Sequence, residues 1–160
     1  MLTPPTISFW ITIIFLATVT YLIIIRIIRY FIHFPIPSWV TPLINNPIRR
    51  KLQPPATVTD WINIQPGMTI LEIGPGPGTF TAEAARRAGS HGTVIAIDIQ
   101  PAVISRLNKI LNNSCTTIIT AAASAYNLPF PDATFDRVFM IAVLAEIPDR
   151  QCALQEIARV

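Results

Sequence analysis

Leu71–Phe80 reads LEIGPGPGTF, and the glycines at Gly74, Gly76 and Gly78 decide how the surrounding sequence folds. Upstream, Met68–Ile73 (MTILEI) is a short, almost wholly apolar run of the kind that forms a strand buried on both faces. Downstream, Thr79–Ala88 (TFTAEAARRA) carries helical periodicity and stops at Gly89. A strand, a glycine-rich turn and a helix, in that order, bring bare main chain to a strand tip. There a small molecule can approach closely, and the helix N-terminus favours an anion.

The alternation continues along the chain. Thr57–Ile64 reads as a short helix, and Pro66 and Gly67 as a turn. Thr93–Asp98 (TVIAID) is a second strand. Pro101 opens a helix that reaches about Leu111 and ends at Asn112 and Asn113. Cys115–Thr120 is a third strand, rich in β-branched residues, and Phe135–Leu144 (FDRVFMIAVL) a fourth. Asp149 caps a last helix, Arg150–Val160; Asp132 and Asp136 read as turn residues, and Arg86 and Arg87 as a solvated helix face. Strands alternating with helices imply an α/β fold with a Rossmann-like parallel sheet and right-handed crossovers.

In such a sheet a ligand binds beyond the carboxyl ends of the strands. Here that is the turn after Ile73, beside the tip of the second strand at Asp98. An acid in that place accepts both hydroxyls of a ribose, and it follows the glycines by roughly twenty residues, as an adenosine bridging two strand tips requires. The glycines at 74, 76 and 78 are followed by Thr79, so they miss the G-x-G-x-x-G/A spacing of a dinucleotide site, which counts against a nicotinamide-dependent oxidoreductase. No pyrophosphate needs cradling in such a loop, and the carboxylate of an amino-acid-like ligand fits the exposed N–H groups as well.

The first part of the chain is different. Ile7–Ile25 (ISFWITIIFLATVTYLIII) has no charge and is apolar on every side, and a helix of about this length spans a hydrocarbon core of roughly 30 Å. The helical pattern runs on through Phe34, with Pro35 and Pro37 ending it. The sequence thus divides into a single transmembrane anchor (1–34), a proline-rich linker (35–56) and a soluble domain (57–160). Arg26, Arg29, Arg49, Arg50 and Lys51 all follow the span and none precedes it, which places the domain on the cytoplasmic side of a single-pass membrane protein. The basic run at Arg49–Lys51 reads as solvated linker charge or as a contact for anionic headgroups or a substrate phosphate.

Composition agrees with an anchored domain. Of the 160 residues 51% are hydrophobic and 13% charged, with mean hydropathy +0.49, too apolar for an ordinary soluble domain. The net charge of +3 is scattered, so no nucleic-acid partner is expected. Cys115 and Cys152 stand apart from each other and from His33 and His91; they read as reduced buried thiols, and no metal site is expected.

Three blocks together resemble a known family. LEIGPGPGTF is similar to the first motif of class I S-adenosylmethionine-dependent methyltransferases, VIAID places Asp98 like that family's ribose-binding acid, and NLPFPDATFDRVF (Asn127–Phe139) with LAEIPDRQCALQEIARV resembles the ubiquinone/menaquinone-type group, methyltransferase type 11-like. The resemblance covers roughly 57–160. It implies S-adenosyl-L-methionine as cofactor, with Glu72, Gly74, Pro75, Gly76 and Gly78 at the methionine end, Asp98 on the ribose and Ile99 on the adenine. Ser124 stands where many relatives carry an Asp that reads the adenine amino group, and Ala125 beside it offers its backbone. Ala142, Ala145 and Glu146, after the fourth strand, would face the methyl group or the substrate. Glu146 is the one candidate general base, its alternative role being to cap the helix that follows.

The resemblance also implies a sheet of seven strands, of which four are present here, so the C-terminal strands are expected to be missing. Three readings follow. One is a methyltransferase acting at a membrane surface on a lipid-like or other small-molecule acceptor, completed by a homo-oligomer or by a missing C-terminal half. Another is a non-catalytic, membrane-anchored cofactor-binding module. The oxidoreductase is the third and fails on glycine spacing.

Overall fold

A computed structural model describes residues 7–31, 47–111 and 117–160. The chain divides into two compact units, Met1–Phe34 and Pro35–Val160.

The first unit contains helix α1, Ile7–Phe31. Its stretch Ile7–Ile28 has mean hydropathy 2.5 and is long and apolar enough, by length and composition, to cross a membrane. The hydroxyls in it are satisfied within the helix. Thr12 Oγ1 donates to the Ser8 carbonyl at 2.9 Å and Thr18 Oγ1 to that of Ile14 at 2.8 Å, so neither needs a polar partner outside. The expected helix stop at Pro35 and Pro37, and His33, lie outside the described residues.

The second unit is a parallel four-stranded α/β layer structure. Two short helices, α2 (Pro47–Leu52) and α3 (Pro55–Ile62), lie inside and just beyond the stretch expected to be a linker, each opening on a proline whose missing N–H a helix start does not use. Asn63 ends α3 in the left-handed conformation, and its N–H donates to the Asp60 carbonyl. Then follow β1 (Thr69–Ile73), α4 (Thr79–Ala88), β2 (Thr93–Asp98), α5 (Pro101–Leu111), β3 (Thr117–Ala122), β4 (Arg137–Met140), a 3-10 turn (Leu144–Glu146) and α6 (Arg150–Arg159). The sheet order is β3-β2-β1-β4 with every pair parallel.

The four strands, the helices between them and the Asp149 cap, whose carboxylate accepts from the Cys152 N–H at 2.9 Å, match the sequence pattern. The fourth strand is shorter than its apolar run, because Ala142 turns into the left-handed region two residues after Met140 and the chain leaves the sheet for the 3-10 turn. The third strand begins at Thr117, and Cys115, Asn112 and Asn113 lie outside the described residues. Cys152 is half-buried, with its thiol free.

Side chains of β1 alternate between two cores. Ile70 packs with Phe80, Ala84, Ala88, Val94 and Phe139 under α4, while Leu71 and Ile73 pack with Ile97, Leu128 and Val160 on the opposite face. A strand covered on both sides is mostly apolar, and in β1 (TILEI) the buried exception is Glu72. Arginines hold the outer layers. Arg87, expected on a solvated face, instead bonds Asp60 at 2.5 Å and the Ala56 carbonyl at 2.9 Å, pinning α3 to α4. Arg159 donates to the carbonyls of Phe130 and Leu128, to Asp132 and to Glu156, tying α6 to the Asn127–Asp132 segment. Asp136 is likewise more than a turn residue, since its carboxylate accepts from the Thr69 N–H at 2.8 Å and starts the β1–β4 pairing.

Because Leu71 is fully buried between the layers, Leu71→Ala should cost about 2–5 kcal/mol in urea unfolding of the full chain. Ile119→Ala on half-exposed β3 should stay within about 0.5 kcal/mol, and equal losses at the two positions would contradict this layering.

Candidate functional site

Parallel pairing lines up four strand tips in one row. In register, Ile73 faces Ile97 on one side and Met140 on the other, and Asp98 faces Ala122. The loops beyond those tips therefore share one edge of the sheet, in the order Ser124–Ala125, Asp98–Ile99, Gly74–Gly78 and Ala142–Glu146. The sequence-predicted residues other than the buried Glu72 thus lie in loops along one rim, and the tips of β1 and β2 stand side by side at its centre.

The turn that leaves β1 is built for tight reversal. Gly74, Gly76 and Gly78 all have positive φ. At Gly74 (φ +70) an added Cβ would lie 2.3 Å from Val143 Cγ2, and at Gly78 (φ +78) it would lie 2.4 Å from Leu107 Cδ1. A side chain at either place meets both backbone strain and a stiff or packed neighbour.

The donors differ from the sequence expectation of a run of exposed amides. Pro75 and Pro77 have no N–H. The Gly74 N–H donates to the Ile97 carbonyl at 2.8 Å and that of Gly78 to the Pro75 carbonyl at 3.0 Å. What remains for an anion is the Gly76 N–H and the first-turn N–H groups of α4, which have no carbonyl one turn earlier in the helix.

Beneath the turn lies Glu72. It shares the face of β1 that carries Ile70, is 2% exposed, and accepts a hydrogen bond from Thr81 Oγ1 at 2.5 Å. The bond joins β1 to α4 directly under the glycines. Burial pushes the Glu72 carboxyl up to about 7, only partly offset by the Thr81 hydroxyl. Thr81 was not singled out from sequence, although a hydroxyl on the inner face of the helix following a buried acid is the signal that finds it.

Asp98, half-buried at the tip of β2, keeps one oxygen on the Gln100 N–H at 2.8 Å and is pushed above the ordinary carboxylate range by burial. Its backbone carbonyl accepts from the Ala123 N–H at 3.1 Å, which fixes the strand end. A half-buried carboxylate beside an open glycine turn can accept paired hydroxyls. Ile99 is 60% exposed, an apolar surface available to a flat ring.

Farther along the rim, Ser124 Oγ accepts from the Tyr126 N–H at 3.2 Å, and Ala125 packs against the second core. Tyr126, also unremarked in the sequence, accepts from the Asp149 N–H through its hydroxyl at 3.0 Å and couples this loop to the start of α6. Ala142 holds φ +63, a conformation costly for alanine and common at ligand-facing loops. Ala145 is exposed and Glu146 half-buried in the 3-10 turn. Since Asp149 caps α6, capping does not account for Glu146. Among the described residues no cluster of His, Cys, Asp and Glu is arranged to hold a metal ion.

Comparison with known proteins gives the following. Residues 70–160 match the family described as "Methyltransferase domain". The chain is 35% identical over 98 residues to the ubiquinone/menaquinone biosynthesis C-methyltransferase UbiE of Bordetella avium, covering 61% of this chain and 38% of that protein. It is 33% identical over 107 residues to the protein of that name from Idiomarina loihiensis, covering 63% and 41%. The chain therefore spans about two-fifths of the length of these relatives. Among solved structures, a SAM dependent methyltransferase from Aquifex aeolicus superposes with TM-score 0.73 at 25% identity, covering 79% of this chain and 68% of that one. The [4+2]-cyclase SpnF, at TM-score 0.57 and 23% identity over 66% of this chain and 40% of that one, shares the fold.

Two outcomes follow from this geometry. Gly74→Ala should lower stability by at least about 1–2 kcal/mol, measured by denaturant midpoint, and unchanged stability would mean that Val143 does not sit where an added Cβ must go. For Glu72, whose carboxyl rises from 4.5 to about 7 on folding, the folded state holds a proton between these values that the unfolded state has lost. Stability is then full below pH 4.5 and falls through pH 7, by on the order of 3 kcal/mol in all. Glu72→Gln should abolish that slope in thermal melts; a slope that survives the substitution belongs to another group.

Proposed function

The chain belongs to the methyltransferase domain family, and from that premise we propose that its second unit binds S-adenosyl-L-methionine along the rim of β1 and β2 and donates its methyl group to an acceptor at a membrane surface. The observation that carries this reading is the juxtaposition, in register, of the positive-φ turn Gly74–Gly78 and the half-buried carboxylate of Asp98. These groups fit the cofactor's chemistry. The Gly76 N–H and the first turn of α4 suit its amino-acid carboxylate, and Asp98 suits its ribose hydroxyls. Ile99 covers the adenine, with Ser124 and Ala125 at the ring edge.

When bound, the cofactor supplies an already activated methyl group on a sulfonium. The chain's own contribution is alignment and exclusion of water. Glu72 does its part from below, holding β1 and α4 together through Thr81 so that the turn keeps its shape. On this reading Ala142 and Ala145 line the acceptor side, and Glu146, in the turn after β4, is the candidate base for the proton of an acceptor hydroxyl.

The acceptor is lipid-like. This part of the reading rests on α1, apolar over Ile7–Ile28, and on the cations that follow it, which favour a single-pass anchor with the domain on the cytoplasmic side. The names of the curated relatives, which refer to quinone biosynthesis, point the same way.

Calorimetric titration of the full chain in neutral detergent tests cofactor binding. S-adenosylhomocysteine should bind and NADH should not, and Asp98→Ala should weaken the former by about tenfold to a hundredfold. Equal affinity in Asp98→Ala would end the ribose assignment. Methylation of membrane extract with labelled donor tests the acceptor: label should enter the lipid fraction. Label confined to water-soluble acceptors, with no gain from lipid, would remove the membrane-surface reading.

A further inference from the structure

Among the described residues outside α1, the two most exposed large apolar side chains stand on the two short helices that precede the sheet. Leu52, the last residue of α2, is 76% exposed, and Trp61, in the last turn of α3, is 80% exposed. The attachment of α3 to the domain does not use Trp61. Thr59 is buried, Val58 and Ile62 pack against the first core, and Asp60 and the Ala56 carbonyl are engaged by Arg87 of α4. Trp61 is set about 100° around the helix from Ile62, and its ring belongs to neither core.

Charge lies in the same segment. Lys51, next to Leu52, is exposed and makes no ion pair among the described residues. It closes the basic run Arg49–Lys51 in the last turn of α2. From Pro47 to Ile62 the one acid is Asp60, which Arg87 engages. Indole favours the headgroup level of a bilayer, where its ring leaves water and its N–H still finds a partner. A leucine and a lysine in the preceding helix add apolar burial and attraction to anionic lipid, the two terms that hold a segment on a membrane surface. Moreover, α2 is the first described element after α1, with residues 32–46 between them in sequence. With α1 in a bilayer, this tether keeps α2 and α3 at high local concentration near that surface, so contacts of modest strength suffice.

We propose that α2 and α3 dock the domain onto anionic lipid, with Trp61 and Leu52 entering the headgroup layer and Lys51 meeting its phosphates. The inference rests on the reading of α1 as a membrane anchor and is independent of methyl transfer. A second attachment besides α1 restricts how the domain turns on its tether.

The test is fluorescence of the full chain in lipid nanodiscs with one tryptophan retained. Trp10→Phe with Trp39→Phe leaves Trp61, and Trp39→Phe with Trp61→Phe leaves Trp10 in α1. In nanodiscs rich in phosphatidylglycerol, Trp61 should be quenched by brominated lipid and shielded from aqueous acrylamide. Raised salt, Lys51→Glu and replacement of the anionic lipid by phosphatidylcholine should each lower the quenching by about half. Lys51→Arg should preserve it, which separates charge from damage to α2. Trp10 quenched by brominated lipid while Trp61 stays open to acrylamide overturns the docking and leaves the anchor standing. If neither is quenched, α1 is not in the bilayer and the docking falls with it. Trp61 shielded from acrylamide but untouched by brominated lipid is covered by protein, which also overturns the proposal. Quenching indifferent to Lys51→Glu and to lipid charge overturns the assignment to anionic lipid.

Discussion

Between Ile73 and Thr79 the main chain must leave a buried strand, reverse, and enter a helix that packs back on the same strand. That constraint governs the second unit. It is met by three left-handed glycines, with Val143 and Leu107 occupying the space where side chains would otherwise stand. The loop after β4 and the helix after β2 are thus both packed against the turn, and the three neighbouring strand tips are fixed relative to one another. A rim assembled in this way holds its groups in place before any ligand arrives, which is how binding avoids the cost of ordering loops.

The turn is held from underneath by a group that is expensive to bury. An acid 2% exposed among apolar side chains is tolerated when it is protonated or hydrogen-bonded, and Glu72 is drawn toward both, its carboxyl lifted to about 7 and one oxygen engaged by Thr81. The same position read as an apolar residue would pack at least as well. At that place the acid ties β1 to α4 beneath the turn through the bond it accepts from Thr81. Asp98 is the complementary case: half-buried, it keeps one oxygen on its own backbone and leaves the rest of the carboxylate at the rim.

The two faces of α4 serve different ends. Its inner face, with Phe80, Thr81, Ala84 and Ala88, completes the core and the support of the turn, while on its outer side Arg86 is paired with Glu83. Arg87, on the same helix, locks α3 in place and so connects the sheet to the helices that precede it. The fold itself does not dictate methyl transfer, since a [4+2]-cyclase shares it, and the case for that chemistry rests on the family match and on particular residues.

Much of this was legible in the sequence because it depends on local periodicity and on residue types that act through the backbone. The strands Thr93–Asp98 and Thr69–Ile73, the helices Thr79–Ala88 and Pro101–Leu111, the Asp149 cap and the glycine turn follow from apolar runs, capping and turn chemistry within a few residues of one another. The adjacency of the β1 and β2 tips, which sets the Gly74 turn beside Asp98, follows from a strand–helix–strand connection within one parallel sheet. What the sequence did not contain is anything decided by packing at a distance. It did not show that Pro75 and Pro77, with the bonds made by Gly74 and Gly78, reduce the turn to one free N–H, that Thr81 reaches Glu72, or that Arg87 serves α3 and not solvent. The left-handed Ala142 that ends β4 early is of the same kind. Backbone preference is written residue by residue, whereas the partner of a side chain is chosen only when the layers close.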